Sequence, residues 1–455
     1  MNCPYQAKAC RHLLTERIMT DYKKSNCRYC DAPLAAPFLE LGSMPLANNL
    51  PRKEDLAATE FACPLSLVFC EKCGLVQLSH VVPPELMFSH YLYVSSTTKT
   101  FQEHFADYAK DVRARIKDEN PLAVDLGSND GLLLACYQRE GMRICGVDPA
   151  KNLAEEANQK GLTTLNHFFN TDSVAEILKK YGPASCVSGN NVFAHIDDIQ
   201  SVLKNVFKLL TDDGFFVIEF PYLGTMLDEL LFDMTYHEHL SYIGVTPLKF
   251  VAERFGFQIF DIREVSSHGG SLRVFMQKQN AATTQSSGGQ GRRPVAAIVG
   301  QFLEREKREK HAELATYRAF TAKVLKVKED FTSLIRRLKQ EGKSICGYGA
   351  PAKASTLCNF YGLSPKDLDY VVDDNPLKQG RFIPGAHIPI VPSTHLNEKP
   401  ADYVVIFAWN FAREIIKKIS HLEERGTKFL VPLFNPKHAV PGENPFLIVS
   451  EKARA

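Results

Sequence analysis

The chain has 455 residues, 45% of them hydrophobic and 23% charged, and its formal net charge is +2. This is the composition of a globular protein of two or three domains, and so small a net charge gives no sign of a nucleic-acid-binding surface or of binding to an acidic membrane. The sequence has no apolar run of about 18 residues and no secretory signal, so we expect a cytoplasmic protein whose twelve cysteines are thiols or metal ligands rather than disulfides.

The N-terminal module, residues 20–85, contains two pairs of cysteines, each separated by two residues. The pairs are Cys27 with Cys30 and Cys70 with Cys73. This spacing lets both thiolates of a pair face one ion, and four thiolates complete a closed, structural zinc site. Because the pairs lie far apart in the sequence, Cys63 and His80 remain substitute ligands, and a redox CxxC motif remains an alternative.

The core, residues 86–280, alternates strand and helix patterns, which predict a parallel sheet with crossover helices. An apolar strand at 122–126 runs into a glycine-bearing loop that fits the first motif of class I methyltransferases. The loop carries an acid followed by glycines and an amide: Asp125, Gly127, Asn129 and Gly131. Asp148 ends the next strand, at the distance where a carboxylate binds ribose hydroxyls. The G-x-G-x-x-G fingerprint is absent here, which favours S-adenosylmethionine over a nicotinamide dinucleotide.

Two further segments follow strands of the predicted core. Phe168 and Phe169 either flank an adenine ring or belong to the hydrophobic core. Asn190 and Asn191 follow a strand at 184–188, at the sheet edge where α/β proteins bind ligands. We therefore add these four residues to the predicted donor site.

The densest group of ionisable residues is Tyr236-His237-Glu238-His239, which follows a strand at 218–222. The simplest interpretation is a solvated turn with one buried histidine. Metal ligation is a further alternative, although the segment lacks the helical HExxH spacing. A catalytic role is the third.

The C-terminal domain, residues 296–445, follows a polar stretch at 280–294 that is either a linker or a surface insertion. Apolar residues at three- and four-residue spacing predict a helix over 314–338, capped by Gly342. A strand, a glycine turn and a helix follow, and the turn matches the G-x-G-x-x-A variant of the dinucleotide fingerprint. Its residues are Gly347, Gly349 and Lys353, with Asp373 and Asp374 at the end of the next strand. NAD binding and a fold without ligand both remain open.

Taken in order, these motifs resemble the sugar C-methyltransferases that act on nucleotide-linked 4-keto-deoxysugars. The resemblance begins at about residue 25 and extends through all three domains. It is carried by CRYC, CEKC, VDLGSNDG, GNNVFAHIDD, EFPYL, FDMTYHEHLSYIG, HGGSLR and GYGAPAKASTL. It implies a zinc-binding module, a class I methyltransferase core with a Rossmann-like fold, and a C-terminal Rossmann-like domain that binds the nucleotide-sugar.

The resemblance also implies roles for single residues. The catalytic groups are His195, Tyr236, Glu238 and His239. Tyr91 or Tyr93 contacts the substrate, and Gly347, Gly349 and Lys353 face its diphosphate.

The implied chemistry suits these residue types. A sulfonium methyl group is already electrophilic, so the enzyme must make a carbon nucleophilic by removing a proton next to a ketone. We expect His239 to be the base, with Glu238 orienting it or acting instead, and Tyr236 or His195 to donate to the enolate oxygen. The methyl group is then transferred to the third ring carbon.

Two other functions fit parts of the sequence, namely an NAD-dependent nucleotide-sugar oxidoreductase and a non-enzymatic zinc-dependent scaffold. The nucleotide base, the deoxygenation pattern of the sugar, the pathway and the oligomeric state are left open.

Overall fold

The computed structural model describes residues 22–88, 99–279, 293–433 and 444–448. These ranges contain three β-sheets, one centred on each of the three predicted regions. No helix within them is both long and apolar enough to cross a membrane. The predicted residues Tyr91 and Tyr93 lie outside the described residues.

The N-terminal sheet is antiparallel and has the strand order β1-β2-β3-β9. Its strands are β1 (Leu39–Pro45), β2 (Ala62–Phe69), β3 (Val76–Leu78) and β9 (Ser241–Tyr242), and the short helix α1 (Pro84–Phe88) follows β3. The fourth strand comes from the core, more than 150 residues along the chain, and pairs with β3 through Val76–Tyr242 and Gln77–Ser241. The N-terminal sheet is therefore completed by the segment that directly follows Tyr236–His239.

The core is a seven-stranded sheet of order β10-β11-β8-β7-β4-β5-β6. Its strands are β4 (Leu122–Leu126), β5 (Arg143–Val147), β6 (Thr164–Leu165), β7 (Ala184–Asn190), β8 (Leu210–Pro221), β10 (Phe257–Val265) and β11 (Ser271–Lys278). Its helices are α2 (Lys99–Ala114), α3 (Leu132–Arg139), α4 (Lys151–Gln159), α5 (Thr171–Tyr181), α6 (Ile199–Leu209), α7 (Leu223–Glu229) and α8 (Val245–Arg254).

The five strands from β6 to β8 are parallel, and β11 runs antiparallel between β8 and β10. The strand order reverses between β4 and β7, and ligands of doubly wound sheets bind in the crevice beyond the carboxyl ends at such a point. The predicted α/β core is confirmed. Its switch point lies where the glycine loop and the Asn190–Asn191 pair emerge.

The third sheet has the order β14-β13-β12-β15-β16-β17. Its strands are β12 (Ile345–Tyr348), β13 (Val371–Asp373), β14 (Ile390–Pro392), β15 (Tyr403–Ile406), β16 (Lys428–Leu430) and β17 (Leu447–Ile448). Its helices are α9 (Ala297–Arg308), α10 (Leu314–Gln340), α11 (Ala352–Tyr361), α12 (His395–Glu398) and α13 (Ala412–Lys418). All pairs except β16–β17 are parallel, and this sheet has its own switch point between β12 and β15.

The long helix α10 confirms the predicted amphipathic segment and its cap. Gly342 has φ +73°, and its N–H donates to the Lys339 carbonyl at 3.0 Å. The N–H of Lys343 donates to the Leu338 carbonyl at 3.0 Å, which completes a Schellman motif. The buried face of the helix joins one hydrophobic cluster with the N-terminal sheet and with α11. It thereby fixes the first and third sheets against each other.

Candidate active site

The four predicted zinc ligands lie together in the N-terminal module. Their sulfur atoms all lie within 4.8 Å of one another, with 3.5 Å between Cys27 and Cys73 and 3.4 Å between Cys30 and Cys70. Four Zn–S bonds of about 2.3 Å in a tetrahedron place the sulfurs about 3.8 Å apart. All four residues are buried, and the cluster does not include the alternative ligand Cys63. The donor set therefore fits zinc.

Backbone groups of the two cysteine turns support the metal site. The N–H groups of Tyr29 and Cys30 hydrogen-bond to the Cys27 sulfur, and that of Leu75 bonds to Cys73. Such bonds favour the thiolate form that zinc requires.

Arg28, which lies inside the first cysteine turn, links the metal site to the core. Its buried guanidinium donates to Gln77 Oε1 at 3.1 Å and to Ser241 Oγ at 3.4 Å. Ser241 is two residues beyond His239, so the zinc turn contacts the strand that follows the ionisable segment.

The glycine-bearing loop at 125–131, predicted to bind the methyl donor and called the donor loop below, has the backbone geometry that its residue types suggest. Gly127, Asn129 and Gly131 have φ of +64°, +52° and +81°, in the left-handed region where glycine and asparagine are tolerated best. The Asp148 carboxylate accepts hydrogen bonds from the N–H groups of Asn129 and Ala150, both at 2.8 Å. It therefore ties the loop to the end of β5, beside the crevice.

Asp125 lies beneath this loop and is 4% exposed. Ser188 Oγ donates to its Oδ1 at 2.6 Å. Burial raises the pKa of Asp125 to about 7, against the effect of the Ser188 hydrogen bond. The floor of the site thus holds a carboxyl group that titrates near neutral pH.

Asn190 ends β7 and Asn191 directly follows it, at the same crevice edge. Within the described ranges, both amide atoms of Asn190 are buried and lack a hydrogen-bond partner, as expected of a side chain that awaits a ligand. Asn191 has φ +54°, and its N–H donates to the Glu219 carbonyl at 2.7 Å. An unsatisfied amide beside the glycine loop and Asp148 makes this edge fit S-adenosylmethionine.

The two phenylalanines predicted beside the adenine differ in their environment. Phe168 is 38% exposed, whereas Phe169 packs against the hydrophobic core of the sheet. Phe168 is thus the one with a face open to a ligand.

The imidazole of His239 is held at both ring nitrogens. Nδ1 lies 2.8 Å from the Met234 carbonyl oxygen, and Nε2 lies 2.6 Å from the Tyr236 hydroxyl. Because a carbonyl only accepts, Nδ1 carries the hydrogen, and Nε2 accepts the Tyr236 hydrogen. The His195 ring is 5.0 Å from that of His239, between centroids. Three of the four predicted catalytic residues thus meet in one place.

The other two members of the segment are bound by the N-terminal module. Asn48 Nδ2 donates to Glu238 Oε1 at 2.6 Å. His237 Nε2 lies 3.0 Å from the Cys63 carbonyl oxygen, to which it donates. Burial lowers the pKa of His237 to about 4, so this histidine is neutral and structural. The sequence prediction missed Asn48, whose one signal is a pair of asparagines after an apolar strand.

The C-terminal domain contacts the start of the same segment. Thr356 Oγ1, on α11, donates to the Thr235 carbonyl at 2.9 Å. Trp409 Nε1, after β15, donates to the Asp233 carboxylate at 2.5 Å. Residues 232–239 are therefore contacted by all three domains.

The residues predicted to bind diphosphate lie at the switch point of the third sheet, with specific neighbours. Lys353 is 7% exposed, and its Nζ lies 4.1 Å above the centre of a Trp409 ring. A Cβ added to Gly347 would lie 2.7 Å from Phe407, and one added to Gly349 would lie 2.8 Å from Ala408. Packing against the end of β15 thus explains both glycines, and Lys353 brings a cation to the edge of segment 232–239.

The dinucleotide fingerprint of the third sheet also has an internal partner. The Asp373 carboxylate accepts from the Ala350 N–H at 2.7 Å, and this N–H belongs to the turn that would face a phosphate. This contact ties the glycine turn to the end of β13.

Three family models match the chain, and together they extend over most of it. A "Putative zinc binding domain" matches residues 27–88, a "Methyltransferase domain" matches 101–262, and a "C-methyltransferase C-terminal domain" matches 266–434.

Among curated proteins, the chain is similar to the C-methyltransferase NovU of Streptomyces niveus. The two are 36% identical over 412 residues, which are 90% of this chain and 96% of NovU.

Solved structures give weaker similarities. The magnesium protoporphyrin IX methyltransferase ChlM of Synechocystis PCC 6803, solved with bound SAM, is 15% identical, with 39% of this chain and 79% of ChlM covered and a TM-score of 0.30. The protein PH0226 of Pyrococcus horikoshii OT3 is 13% identical, with 41% and 95% covered and a TM-score of 0.33. Both similarities cover less than half of this chain.

Proposed function

The chain belongs to the C-methyltransferase family that includes NovU and is an S-adenosylmethionine-dependent methyltransferase with a zinc-binding module, and from this premise we propose that its acceptor is a nucleotide-diphospho-4-keto-6-deoxysugar. The methyl group goes to the third ring carbon, next to the ketone, through an enolate. Family membership argues against both alternatives, the NAD-dependent oxidoreductase and the non-enzymatic scaffold.

Bound S-adenosylmethionine supplies an electrophilic methyl group on a sulfonium. Gly127 and Gly131 give the loop its left-handed turns. Five residues at the switch point of the core would hold the cofactor: Asp125, Asn129, Asp148, Asn190 and Asn191. Phe168 offers an open aromatic face for the adenine, and Phe169 supports it from the core.

The observation that carries the proposal is the arrangement of Tyr236 and His239. The Met234 carbonyl fixes the tautomer of His239, so that Nε2 is a neutral proton acceptor already engaged with the Tyr236 hydroxyl. A neutral imidazole is a suitable base for a C–H bond activated by a ketone. On substrate binding the Tyr236 O–H turns from Nε2 towards the ketone oxygen, which frees the Nε2 lone pair to take the proton, and Tyr236 or His195 then donates to the enolate oxygen.

Glu238 is the second candidate for the base. Its hydrogen-bond donor Asn48 lies on the side of the N-terminal module, and the orientation of the imidazole comes from Met234. We therefore assign the proton transfer to His239 and a supporting role to Glu238.

The rest of the acceptor site lies towards the C-terminal domain. Lys353, with the turn of Gly347 and Gly349, would meet the diphosphate at the switch point of the third sheet. Tyr91 or Tyr93 would contact the sugar. A small, mainly apolar cavity lies beside His239 and is lined in part by Met226, Leu231 and Met234.

The test is the exchange of the sugar C–H hydrogen with solvent deuterium, followed by NMR on a nucleotide-diphospho-4-keto-6-deoxysugar. His239→Asn should slow exchange by about 10²- to 10⁴-fold and leave S-adenosylmethionine affinity unchanged. Glu238→Gln should retain measurable exchange. Exchange at the wild-type rate in His239→Asn would remove His239 from the role, and methylation at the fifth ring carbon would overturn the assigned position.

A further inference from the structure

The contact between Asn48 and Glu238 joins residues that are 190 positions apart in the chain. The donor–acceptor distance is 2.6 Å, and Glu238 is only 5% exposed. A carboxylate removed from water needs hydrogen-bond donors to remain charged, and a side-chain amide supplies one without adding a charge. Asn48 is therefore more than a surface residue of the N-terminal module.

The loop that carries Asn48 is held by the C-terminal domain. The Arg381 guanidinium donates to the Leu50 carbonyl at 3.1 Å, and the Phe382 N–H donates to the Pro51 carbonyl at 3.0 Å. The Leu50 side chain is buried in the cluster shared by the first and third sheets. The C-terminal domain thus holds the backbone two and three residues after Asn48.

The backbone on the other side of the contact is fixed as well. The His239 N–H donates to the Tyr236 carbonyl at 2.9 Å, and the Leu240 N–H donates to the Ala194 carbonyl at 2.8 Å. The Asn48–Glu238 hydrogen bond therefore joins two segments whose backbones are each held by other contacts.

We propose that Asn48 is a positioning residue of the acceptor site, which holds in its charged form the carboxylate of Glu238, the residue directly before His239 in the chain. This inference rests on the proposed function, because it gives Asn48 its role through the proton transfer at His239. The N-terminal module then contributes a polar group to the chemistry in addition to its zinc site. The geometry also explains why an amide stands here, since a second carboxylate at about the same distance would share a proton with Glu238.

The test compares Asn48→Leu and Asn48→Asp with Asn49→Leu, a matched change of the exposed neighbour in the same loop. Asn48→Leu should slow deuterium exchange by about 10- to 100-fold, the range expected for a lost hydrogen bond to a charged group. The acidic limb of its pH–rate profile should move to higher pH, because Glu238 has lost a donor that favours its charged form. Asn48→Asp should move that limb further, and Asn49→Leu should behave as wild type.

Zinc content, S-adenosylmethionine affinity and the thermal midpoint are measured on every variant. A wild-type pH profile in both Asn48 variants would overturn the proposal, as would a rate loss without a shift of the acidic limb. If Asn48→Leu does not fold, the shape-conserving Asn48→Asp decides by the same profile. Wild-type exchange in His239→Asn would sink the proposed function itself, whereas exchange that is lost there but normal in both Asn48 variants would sink this inference alone.

Discussion

The donor loop and segment 232–239 are built in opposite ways. The loop is organised by Asp148, 19 residues from Asn129, and by the edges of neighbouring strands of one sheet. Segment 232–239 accepts hydrogen bonds from Asn48, 190 residues away, and from Thr356, 121 residues away, and it donates one to Cys63, 174 residues away. If the proposed sites are correct, S-adenosylmethionine binding depends on one domain, whereas the acceptor chemistry depends on the assembly of three.

The strongest challenge to this contrast is removal of a zinc ligand. The metal turn joins β2 to β3, and β3 pairs with the strand that follows His239. Cys73→Ser should lose zinc and slow deuterium exchange at least about 100-fold, since a displacement of about 1 Å costs that much in a catalytic site. S-adenosylmethionine affinity, measured by calorimetry, should stay within about threefold.

The control for this experiment is Cys136→Ser, which changes a buried cysteine on α3 outside the metal cluster. An equal loss of donor affinity and exchange in Cys73→Ser would show that the two sites are not separate.

The reverse experiment disrupts the donor loop alone. Asp148→Asn replaces one carboxylate oxygen with an amide that cannot accept, so it weakens the contacts with the Asn129 and Ala150 N–H groups, and S-adenosylmethionine affinity should fall by about 10-fold. Exchange at the acceptor carbon, measured without donor, should stay within about twofold. Asp172→Asn, at an exposed position on α5, is the matched control. A fall in exchange equal to the fall in affinity would contradict the contrast.

Acidification should lower the free energy of unfolding through protonation of His237. The pKa of this histidine is lowered by burial to about 4 in the folded state, against about 6.5 when unfolded. Since the unfolded chain binds more protons in that window, this group's stabilisation is complete above about pH 6.5 and declines as the pH falls towards about 4. Between pH 7 and pH 6 its contribution to the free energy of unfolding should fall by about 0.7 kcal/mol.

The measurement is urea unfolding of wild type and His237→Gln, which keeps an N–H donor for the Cys63 carbonyl but does not titrate. The free energy of unfolding is plotted against pH for each protein. Zinc release affects both proteins equally, so the difference between their two slopes reports on His237 alone. Parallel slopes would show that His237 is not held neutral by the fold.

The same contrast explains what the sequence could predict. The glycine loop, Asp148 and the cysteine pairs follow from local spacing, because each motif folds within a single turn or strand edge. Tyr236, Glu238 and His239 were named through a family resemblance. The groups that hydrogen-bond to His239 and Glu238 could not be predicted, because a backbone carbonyl such as that of Met234 has no signature in the sequence and Asn48 lies in another domain.

The third sheet shows the limit of a local motif. The G-x-G-x-x-A pattern predicted a strand, turn and helix, and β12 and α11 confirm these elements. The assignment of Gly347, Gly349 and Lys353 to a diphosphate stays a prediction. Neighbours that the pattern cannot show, such as Phe407 and Trp409, account for the glycines and contact the lysine.

The strand β9 has a consequence for protein engineering. The metal-binding sheet lacks its last strand until residue 242 has been synthesised, and β3 alone would leave an open edge prone to pairing with other chains. A chimera that exchanges this module with a relative therefore has to carry residues 232–242 along with residues 22–88. The two stretches form one transplantable unit although 143 residues of chain, 89–231, lie between them.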